Sequence, residues 1–305
     1  MKSTVVLTAA YPPVARETLA GEFDVVEHPT EPERSEDELI TILSEADGAI
    51  TLLSDPLTRR VLSSNPNLRV VANYAVGYNN VDIHAARELG ITVTNTPGVL
   101  TEATADLTMG LILALTRRLV EGDREVRSTR RSLWEPLHLL GTGLQGKRLG
   151  IIGLGRIGSA VAARAKAFGM EVSGVRRGES IDELLATSDV VSIHTPLLPE
   201  TRQMIDAAAL ARMKRGAFLV NTARGAVVDE EALCDALESG RLAGAALDVY
   251  EHEPDVNARL LAMDNVVLAP HIGSATFETR SAMAMIAATD VRLVLSGREP
   301  LHPVT

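Results

Sequence analysis

The composition of the chain is that of a globular protein and excludes several other classes. Its 305 residues are 46% hydrophobic and 23% charged, and this length predicts two domains rather than one. No apolar run approaches the roughly eighteen residues that a membrane helix needs. A formal net charge of −10 argues against a nucleic-acid surface. The single cysteine, Cys234, excludes an internal disulfide and is typical of a protein from the reducing cytoplasm.

The first hundred residues alternate short β-rich runs with helical runs. Such alternation predicts a parallel sheet with helices on both of its faces. The predicted strands are Thr4–Leu7, Phe23–Val26, Gly48–Leu52 and Arg69–Val71, and the predicted helices are Val14–Ala20, Glu36–Ser44, Thr58–Leu62 and Ile83–Leu89.

A long helical stretch, Thr101–Arg131, separates this series from the next one. Its first half is apolar on nearly all sides, which predicts burial between domains or subunits, and its charged second half should meet solvent. Trp134, the only tryptophan, follows in a polar segment. Two interpretations stay open: Trp134 anchors the core of its own domain, or it belongs to an arm that crosses a dimer interface.

A second series of strands begins near Lys147 and predicts a second parallel sheet. The apolar stretch after Ala282 is predicted to be helical. The strands of this series are Leu149–Ile152, Glu171–Val175, Val190–His194, Phe218–Asn221, Ala243–Asp248 and Asn265–Leu268.

The first strand of this series leads directly into a glycine-rich motif that opens a helix. The first glycine of such a motif permits a tight turn, the second lets a pyrophosphate approach the backbone, and the third lets helix and strand pack closely. Free N–H groups at the helix N-terminus then hold the phosphates. We therefore predict a dinucleotide site at Gly153, Leu154, Gly155, Arg156, Ile157 and Gly158.

The residues that follow the next strand indicate which dinucleotide binds. An acid about twenty positions after the glycines would bind the 2′-hydroxyl of NAD, but here Arg176 and Arg177 follow Val175. A guanidinium pairs instead with a 2′-phosphate. The sequence therefore predicts a preference for NADPH, with NADH still possible; the alternative is a solvated pair of surface arginines.

Three later strand ends carry groups that suit the reduction of a keto acid. Arg224 follows one strand, and its planar fork suits a carboxylate and a neighbouring carbonyl oxygen. His271 follows another, and a histidine can donate the proton that a carbonyl reduction needs when an adjacent carboxylate favours its charged form. Between them, the segment Asp248–Pro254 offers two glutamates, Glu251 and Glu253, which spacing alone does not separate.

The remaining histidines are weaker candidates for the proton donor. His252, flanked by acids, is the nearest rival of His271, whereas His194 ends a strand and is expected to line the cofactor site. No pair of histidines has the spacing of a metal site on one helix face, so we predict no metal. Surface positions are expected for His28, His84, His138 and His302.

Taken together, these motifs resemble the D-isomer-specific 2-hydroxyacid dehydrogenase family, with its glyoxylate/hydroxypyruvate reductase branch the nearest. The resemblance implies two doubly wound α/β parallel-sheet domains: a flavodoxin-like substrate domain (1–98 and 283–305) and a Rossmann dinucleotide-binding domain (99–282). The segments that carry it are Asn73–Asn80, Thr94–Gly98, Ala103–Asp106, the glycine motif, Asn221–Gly225, Asp248–Pro254 and Ala269–Ser274.

The resemblance also implies a role for individual residues. It makes Arg224 the group that anchors and polarises the substrate, His271 the proton donor and Glu253 the carboxylate that orients and charges the histidine. The backbone N–H groups of Val76 and Gly77 would bind the substrate carboxylate, and the enzyme would be a homodimer. Thr104 and Asp248 would contact the cofactor near its nicotinamide end, and the other expected cofactor contacts are His194, Thr222, Ala223 and Gly273.

One segment departs from the family pattern. Between Arg177 and Ile181 the family usually inserts a further strand, and here only three residues remain. Because the missing strand would be an outer one, its loss predicts a viable sheet with Glu171–Val175 at the edge and with Arg176 and Arg177 exposed.

The activity implied is reduction of a small 2-keto acid, glyoxylate or hydroxypyruvate, to the D-2-hydroxy acid. Two alternatives stay open: a dehydrogenase for D-lactate or a larger keto acid, and a nucleotide-sensing binding protein of the same fold.

Overall fold

The computed structural model describes residues 2–31, 33–132 and 134–305. Its strands are β1 (Thr4–Leu7), β2 (Asp24–Glu27), β3 (Gly48–Thr51), β4 (Val70–Asn73), β5 (Thr92–Thr94), β6 (Arg148–Ile152), β7 (Glu171–Val175), β8 (Val190–Ile193), β9 (Ala217–Asn221), β10 (Leu242–Leu247) and β11 (Val266–Leu268). Its α-helices are α1 (Val14–Leu19), α2 (Glu36–Leu43), α3 (Arg59–Leu62), α4 (Ile83–Glu88), α5 (Thr101–Thr116), α6 (Leu119–Thr129), α7 (Arg156–Ala167), α8 (Asp182–Thr187), α9 (Ala207–Arg212), α10 (Glu230–Glu238), α11 (Ala258–Leu261) and α12 (Phe277–Leu295).

The chain forms two compact units, each with its own sheet. Unit 1 comprises residues 1–100 and 274–305, and unit 2 comprises residues 101–273. The sequence places the second crossing at residue 283, inside α12, whereas the contacts place it before that helix. The reason is that α12 packs along its length on unit 1, where Met283, Ala287 and Val291 share a core with β1, β3 and β4.

Unit 1 is a parallel five-stranded sheet in the order β2-β1-β3-β4-β5. Successive residues of its strands alternate between two cores, as a period of two requires. Val6 and Val71 pack with α2, α3 and α4 on one face, and Val5 and Val70 pack with α1 and α12 on the other. Strand β5, which has three residues, is absent from the predicted strands.

Unit 2 is a parallel six-stranded sheet in the order β11-β10-β9-β8-β6-β7. Helices cover both faces: α5 and α7 pack on the face that carries Val220 and Ala246, and α8 to α11 pack on the face that carries Leu219 and Ala245. Among the described residues β7 pairs only with β6, so the prediction that Glu171–Val175 forms the edge is confirmed. Cys234 is buried in the core between this sheet and helices α8 to α11.

The predicted helical stretch Thr101–Arg131 is two helices rather than one. Helix α5 ends at Thr116, and α6 begins after Arg118, whose left-handed conformation, with φ of 53°, interrupts the helical backbone. The apolar half is buried by its own unit, against α7 and the sheet, and α6 buries none of its residues. Trp134 is 87% exposed, so the core-anchor interpretation is wrong.

None of the helices in the described residues has the length and apolar character of a membrane span.

Candidate active site

The candidate catalytic residues follow three neighbouring strands of unit 2 and lie at the carboxyl end of the sheet. Arg224 follows β9, Glu253 follows β10 and His271 follows β11. These strands are adjacent and parallel, so their carboxyl ends lie side by side. Ligands of open α/β sheets bind at the carboxyl ends of the strands.

The closest contact in the group joins the imidazole to a carboxylate. His271 Nδ1 lies 2.9 Å from Glu253 Oε2, and Glu253 Oε1 accepts a hydrogen bond of 2.9 Å from the backbone N–H of Tyr250. Burial disfavours the charged carboxylate, but the hydrogen bond and charge of His271, the Tyr250 amide and the charge of Arg224 outweigh it and lower the pKa of Glu253. An ionised carboxylate only accepts, so Nδ1 carries the proton of this bond and Nε2 is left for chemistry.

The structure separates the two glutamates that spacing leaves equivalent. The carboxylate of Glu251 accepts hydrogen bonds from Gln203 Nε2 at 2.8 Å and from the backbone N–H of Glu230 at 3.2 Å. Glu251 therefore braces the start of α10, while Glu253 contacts His271. His252 lies between them and is exposed.

Asp248 holds the turn that carries His271. Its buried carboxylate accepts hydrogen bonds from the backbone N–H groups of Ile272 at 2.7 Å and Gly273 at 2.8 Å. His271 itself has φ of 53°, a left-handed conformation that costs a non-glycine residue on the order of 1–3 kcal/mol. The two hydrogen bonds that Asp248 accepts hold the backbone on the far side of this residue in place. Burial raises the pKa of Asp248, and these amide bonds and the charge of His271 oppose the rise.

Arg224 is half-buried beside this group. Its Nη1 donates to the Ala223 carbonyl at 2.6 Å, and its own carbonyl accepts from Asn221 Nδ2 at 2.9 Å. Burial lowers the pKa of the guanidinium, and the charge of Glu253 opposes this. Gly225 makes the approach possible, because a Cβ there would lie 1.8 Å from the Tyr250 carbonyl carbon.

The glycine motif has the shape that a pyrophosphate needs. Gly153 has φ of 96°, and a Cβ there would lie 2.6 Å from the His194 carbonyl oxygen. A Cβ on Gly155 would meet no atom within 4 Å, so the backbone is open to an approaching ligand. Helix α7 starts after Gly155 without a side-chain cap, which leaves its first N–H groups for an anion. These residues fit a bound dinucleotide.

Unit 2 also contains the other residues expected at the cofactor. Thr104 Oγ1 donates to the Gly273 carbonyl at 3.1 Å, and the hydroxyls of Thr222 and Thr108 lie 3.0 Å apart. Ala223 and His194 follow the ends of β9 and β8. Burial lowers the pKa of His194 to about 4. This shift favours the neutral imidazole near pH 7 and argues against His194 as the proton donor.

Arg176 and Arg177 lie at the carboxyl end of the edge strand β7, and both are exposed, as predicted. Arg177 Nη2 pairs with Glu200 Oε1 at 2.5 Å. The backbone N–H of Arg176 donates to Glu179 Oε2 at 2.6 Å, and its guanidinium forms no ion pair among the described residues. The two arginines are therefore not equivalent: only Arg176 has an uncommitted charge.

The predicted substrate residues Val76 and Gly77 belong to unit 1, in the loop after β4. Within the described parts of the chain, no group of three or more His, Cys, Asp or Glu side chains could hold a metal ion.

Several side chains that shape the site have no recognisable signature in the sequence. Tyr250 donates its hydroxyl to the Ala269 carbonyl at 2.9 Å and its amide to Glu253, which joins the loops after β10 and β11. Ser192 Oγ lies 2.9 Å from His194 Nε2. These partners are distant in sequence or lack a distinctive spacing, so no local pattern identifies them.

Comparison with known proteins gives concordant matches. Residues 109–273 match the family model described as D-isomer specific 2-hydroxyacid dehydrogenase, NAD binding domain. A glyoxylate reductase of Aeropyrum pernix is 50% identical in an alignment of 280 positions, which covers 86% of this chain and 84% of that protein.

Two solved structures have the same fold over the whole chain. The TT0316 protein of Thermus thermophilus has a TM-score of 0.94 at 46% identity, covering 99% of this chain and 100% of that one. An NADPH-dependent glyoxylate/hydroxypyruvate reductase of Sinorhizobium meliloti, in complex with NADP and malonate, has a TM-score of 0.86 at 32% identity, covering 100% and 97%.

Proposed function

This chain belongs to the D-isomer specific 2-hydroxyacid dehydrogenase family, and we propose that it reduces glyoxylate or hydroxypyruvate to the hydroxy acid. It is an NAD(P)-dependent oxidoreductase of 2-keto acids. The observation that carries the proposal is the hydrogen bond between His271 and Glu253. Both residues lie at the carboxyl ends of the strands, where Arg224 lies as well. We propose that the protein is located in the reducing cytoplasm, and the free, buried Cys234 is consistent with this location.

The proposed chemistry divides one reduction among three side chains. When bound, the dinucleotide supplies the hydride for the carbonyl carbon. His271 donates the proton from Nε2 to the carbonyl oxygen, since Nδ1 is held by Glu253. Glu253 stabilises the charged imidazole before the transfer, and Arg224 pairs with the substrate carboxylate and polarises the carbonyl.

Three further parts of the proposal follow from the family resemblance. The backbone N–H groups of Val76 and Gly77 bind the substrate carboxylate, and the product is the D-hydroxy acid wherever a stereocentre forms. Cofactor contacts are assigned to the glycine motif, His194, Thr222, Ala223, Gly273, and, near the nicotinamide, Thr104 and Asp248.

Replacing His271 by alanine should remove the proton donor and leave the dinucleotide site intact. We expect kcat for glyoxylate to fall by about 10²–10⁴, while NADPH binding, measured by fluorescence titration, stays within a few fold. The exposed neighbour His252→Ala is the control and should keep its turnover. Unchanged turnover in His271→Ala, or equal losses in both variants, would remove His271 as the acid.

We propose that NADPH is preferred over NADH because cations, and no acid, follow β7. Arg176, whose guanidinium has no ion pair among the described residues, binds the 2′-phosphate. Arg177 must break its ion pair with Glu200 before it can bind the phosphate as well. A charge-assisted hydrogen bond of this kind contributes about 1.5–3 kcal/mol, which corresponds to roughly one to two decades of affinity.

Replacing Arg176 and Arg177 together by serine should raise the KM for NADPH by about 10–100-fold and leave the KM for NADH nearly unchanged. The control Arg215→Ser removes an exposed charge before β9, at the amino edge of the same sheet. Equal effects of the double variant on the two cofactors would contradict a phosphate pocket.

We also propose that the enzyme is a homodimer and that the segment after α6 belongs to the interface. Trp134, Leu137 and Leu140 are 87%, 80% and 61% exposed, an unusual density of bare apolar side chains on one short segment. Large apolar side chains of this kind are the residues that interfaces bury.

Light scattering after gel filtration should give twice the mass of the chain for the wild type. Trp134→Ala combined with Leu137→Ala should shift the protein toward the monomer at low concentration, whereas Leu261→Ala, at a separate exposed position, should not. A wild-type monomer, or a double variant that dimerises as tightly as the wild type, would contradict the proposed interface.

A further inference from the structure

The loop Val76–Gly77 is held on its carbonyl side by three successive hydrogen bonds. The backbone N–H of Thr96 donates to the Ala75 carbonyl at 2.9 Å. Asn95 Nδ2 donates to the Val76 carbonyl at 2.7 Å, and Asn73 Nδ2 donates to the Gly77 carbonyl at 2.8 Å. All of these residues belong to unit 1.

Each of these bonds also sets the direction of an amide. A trans peptide group is planar, and its C=O and N–H point in opposite directions. The carbonyl of Val76 and the N–H of Gly77 share one peptide group, so the bond from Asn95 fixes where the Gly77 N–H points. By the same argument, the bond from Thr96 fixes the Val76 N–H.

The two oriented amides are available to a ligand as far as their own unit is concerned. Within the described residues of unit 1, the N–H groups of Val76 and Gly77 donate to no acceptor, and both residues are partly exposed. Adjacent amides without protein partners form a site for an anion such as a carboxylate. The strength with which these amides bind an anion depends on their fixed direction, because amides that must first reorient bind more weakly.

We infer that Asn95 is a positioning residue for the substrate: its side-chain amide presets the Gly77 N–H for the carboxylate of the 2-keto acid. This inference rests on the proposed function and adds a residue that acts through the backbone of another. Asn95 bonds to the loop from the segment after β5, so it contacts the carbonyl side of the peptide group and not the side that faces the ligand.

Asn95 is itself held by the last residues of the chain. Its backbone N–H donates to the His302 carbonyl at 3.3 Å, and Val304 N–H donates to the Val93 carbonyl at 2.8 Å. His302 Nδ1 in turn lies 2.9 Å from the fully buried carboxylate of Asp290 on α12. The end of the chain therefore runs beside β5 and fixes the backbone from which Asn95 reaches the loop.

Asn73 is less suitable than Asn95 as a test of this arrangement. Its amide is oriented by Asn80, whose Nδ2 donates to Asn73 Oδ1 at 3.1 Å and to the carbonyls of Leu52 and Asp55. Asn73 is also the last residue of β4, so its replacement would disturb the sheet. Asn95 lies outside the strands and can be replaced more cleanly.

The experiment compares Asn95→Ala, Asn95→Gln and the control Asn67→Ala, which alters an exposed asparagine of the same unit. We expect Asn95→Ala to raise the KM for glyoxylate by about 10–100-fold, with kcat and the KM for NADPH within a few fold. The substrate carboxylate is held equally in the ground state and the transition state, so a weaker bond to it raises KM and leaves kcat nearly unchanged. Asn95→Gln keeps a donor and should recover part of the affinity, and Asn67→Ala should match the wild type.

A second readout needs no turnover. The ¹H–¹⁵N resonance of Gly77 in the free protein should shift in Asn95→Ala and stay in place in Asn67→Ala. A KM for glyoxylate within twofold of the wild type, a matching rise in the KM for NADPH, or an unmoved Gly77 resonance would each overturn the inference. If the wild type reduces no 2-keto acid, the proposed function fails, and the Gly77 resonance still decides the role of Asn95.

Discussion

The hydrogen bond between His271 and Glu253 is the interaction on which the candidate site depends. A half-buried carboxylate is costly unless hydrogen bonds satisfy it, and Glu253 has two, from an imidazole and from the Tyr250 amide. The same bond assigns the Nδ1 proton and orients the ring. Asp248 makes this geometry durable, because its two amide bonds hold the strained turn on which His271 stands.

The order of the strands converts this local geometry into a site. Because β9, β10 and β11 are parallel neighbours, residues that are distant in sequence meet at their carboxyl ends. Close backbone packing at Gly225 brings the loop of Arg224 against that of Tyr250, and the Tyr250 hydroxyl reaches the loop after β11. The dinucleotide loop opens at the same edge, after β6. In unit 1, the loop at the carboxyl end of β4 presents oriented backbone amides instead of charged side chains.

Local patterns predict most of this architecture, and long-range contacts account for the rest. Alternating runs give ten of the strands to within a few residues, the glycine motif gives the dinucleotide turn, and Arg224 and His271 stand out as polar residues at strand ends. The choice between Glu251 and Glu253 needs the family resemblance or the fold, since both residues have suitable spacing. The break at Arg118, the exposure of Trp134 and the bond from Asn95 to Val76 need the fold, since they depend on contacts rather than on composition.

The most direct test of the central interaction exploits the two glutamates of one motif. Glu253→Gln and Glu251→Gln remove the same charge two residues apart, and kcat/KM for glyoxylate is compared at neutral pH with saturating cofactor. We expect kcat/KM to fall on the order of 10²-fold or more for Glu253→Gln and to change within a few fold for Glu251→Gln. Equal losses, or a larger loss for Glu251→Gln, would contradict the role of the His271–Glu253 bond.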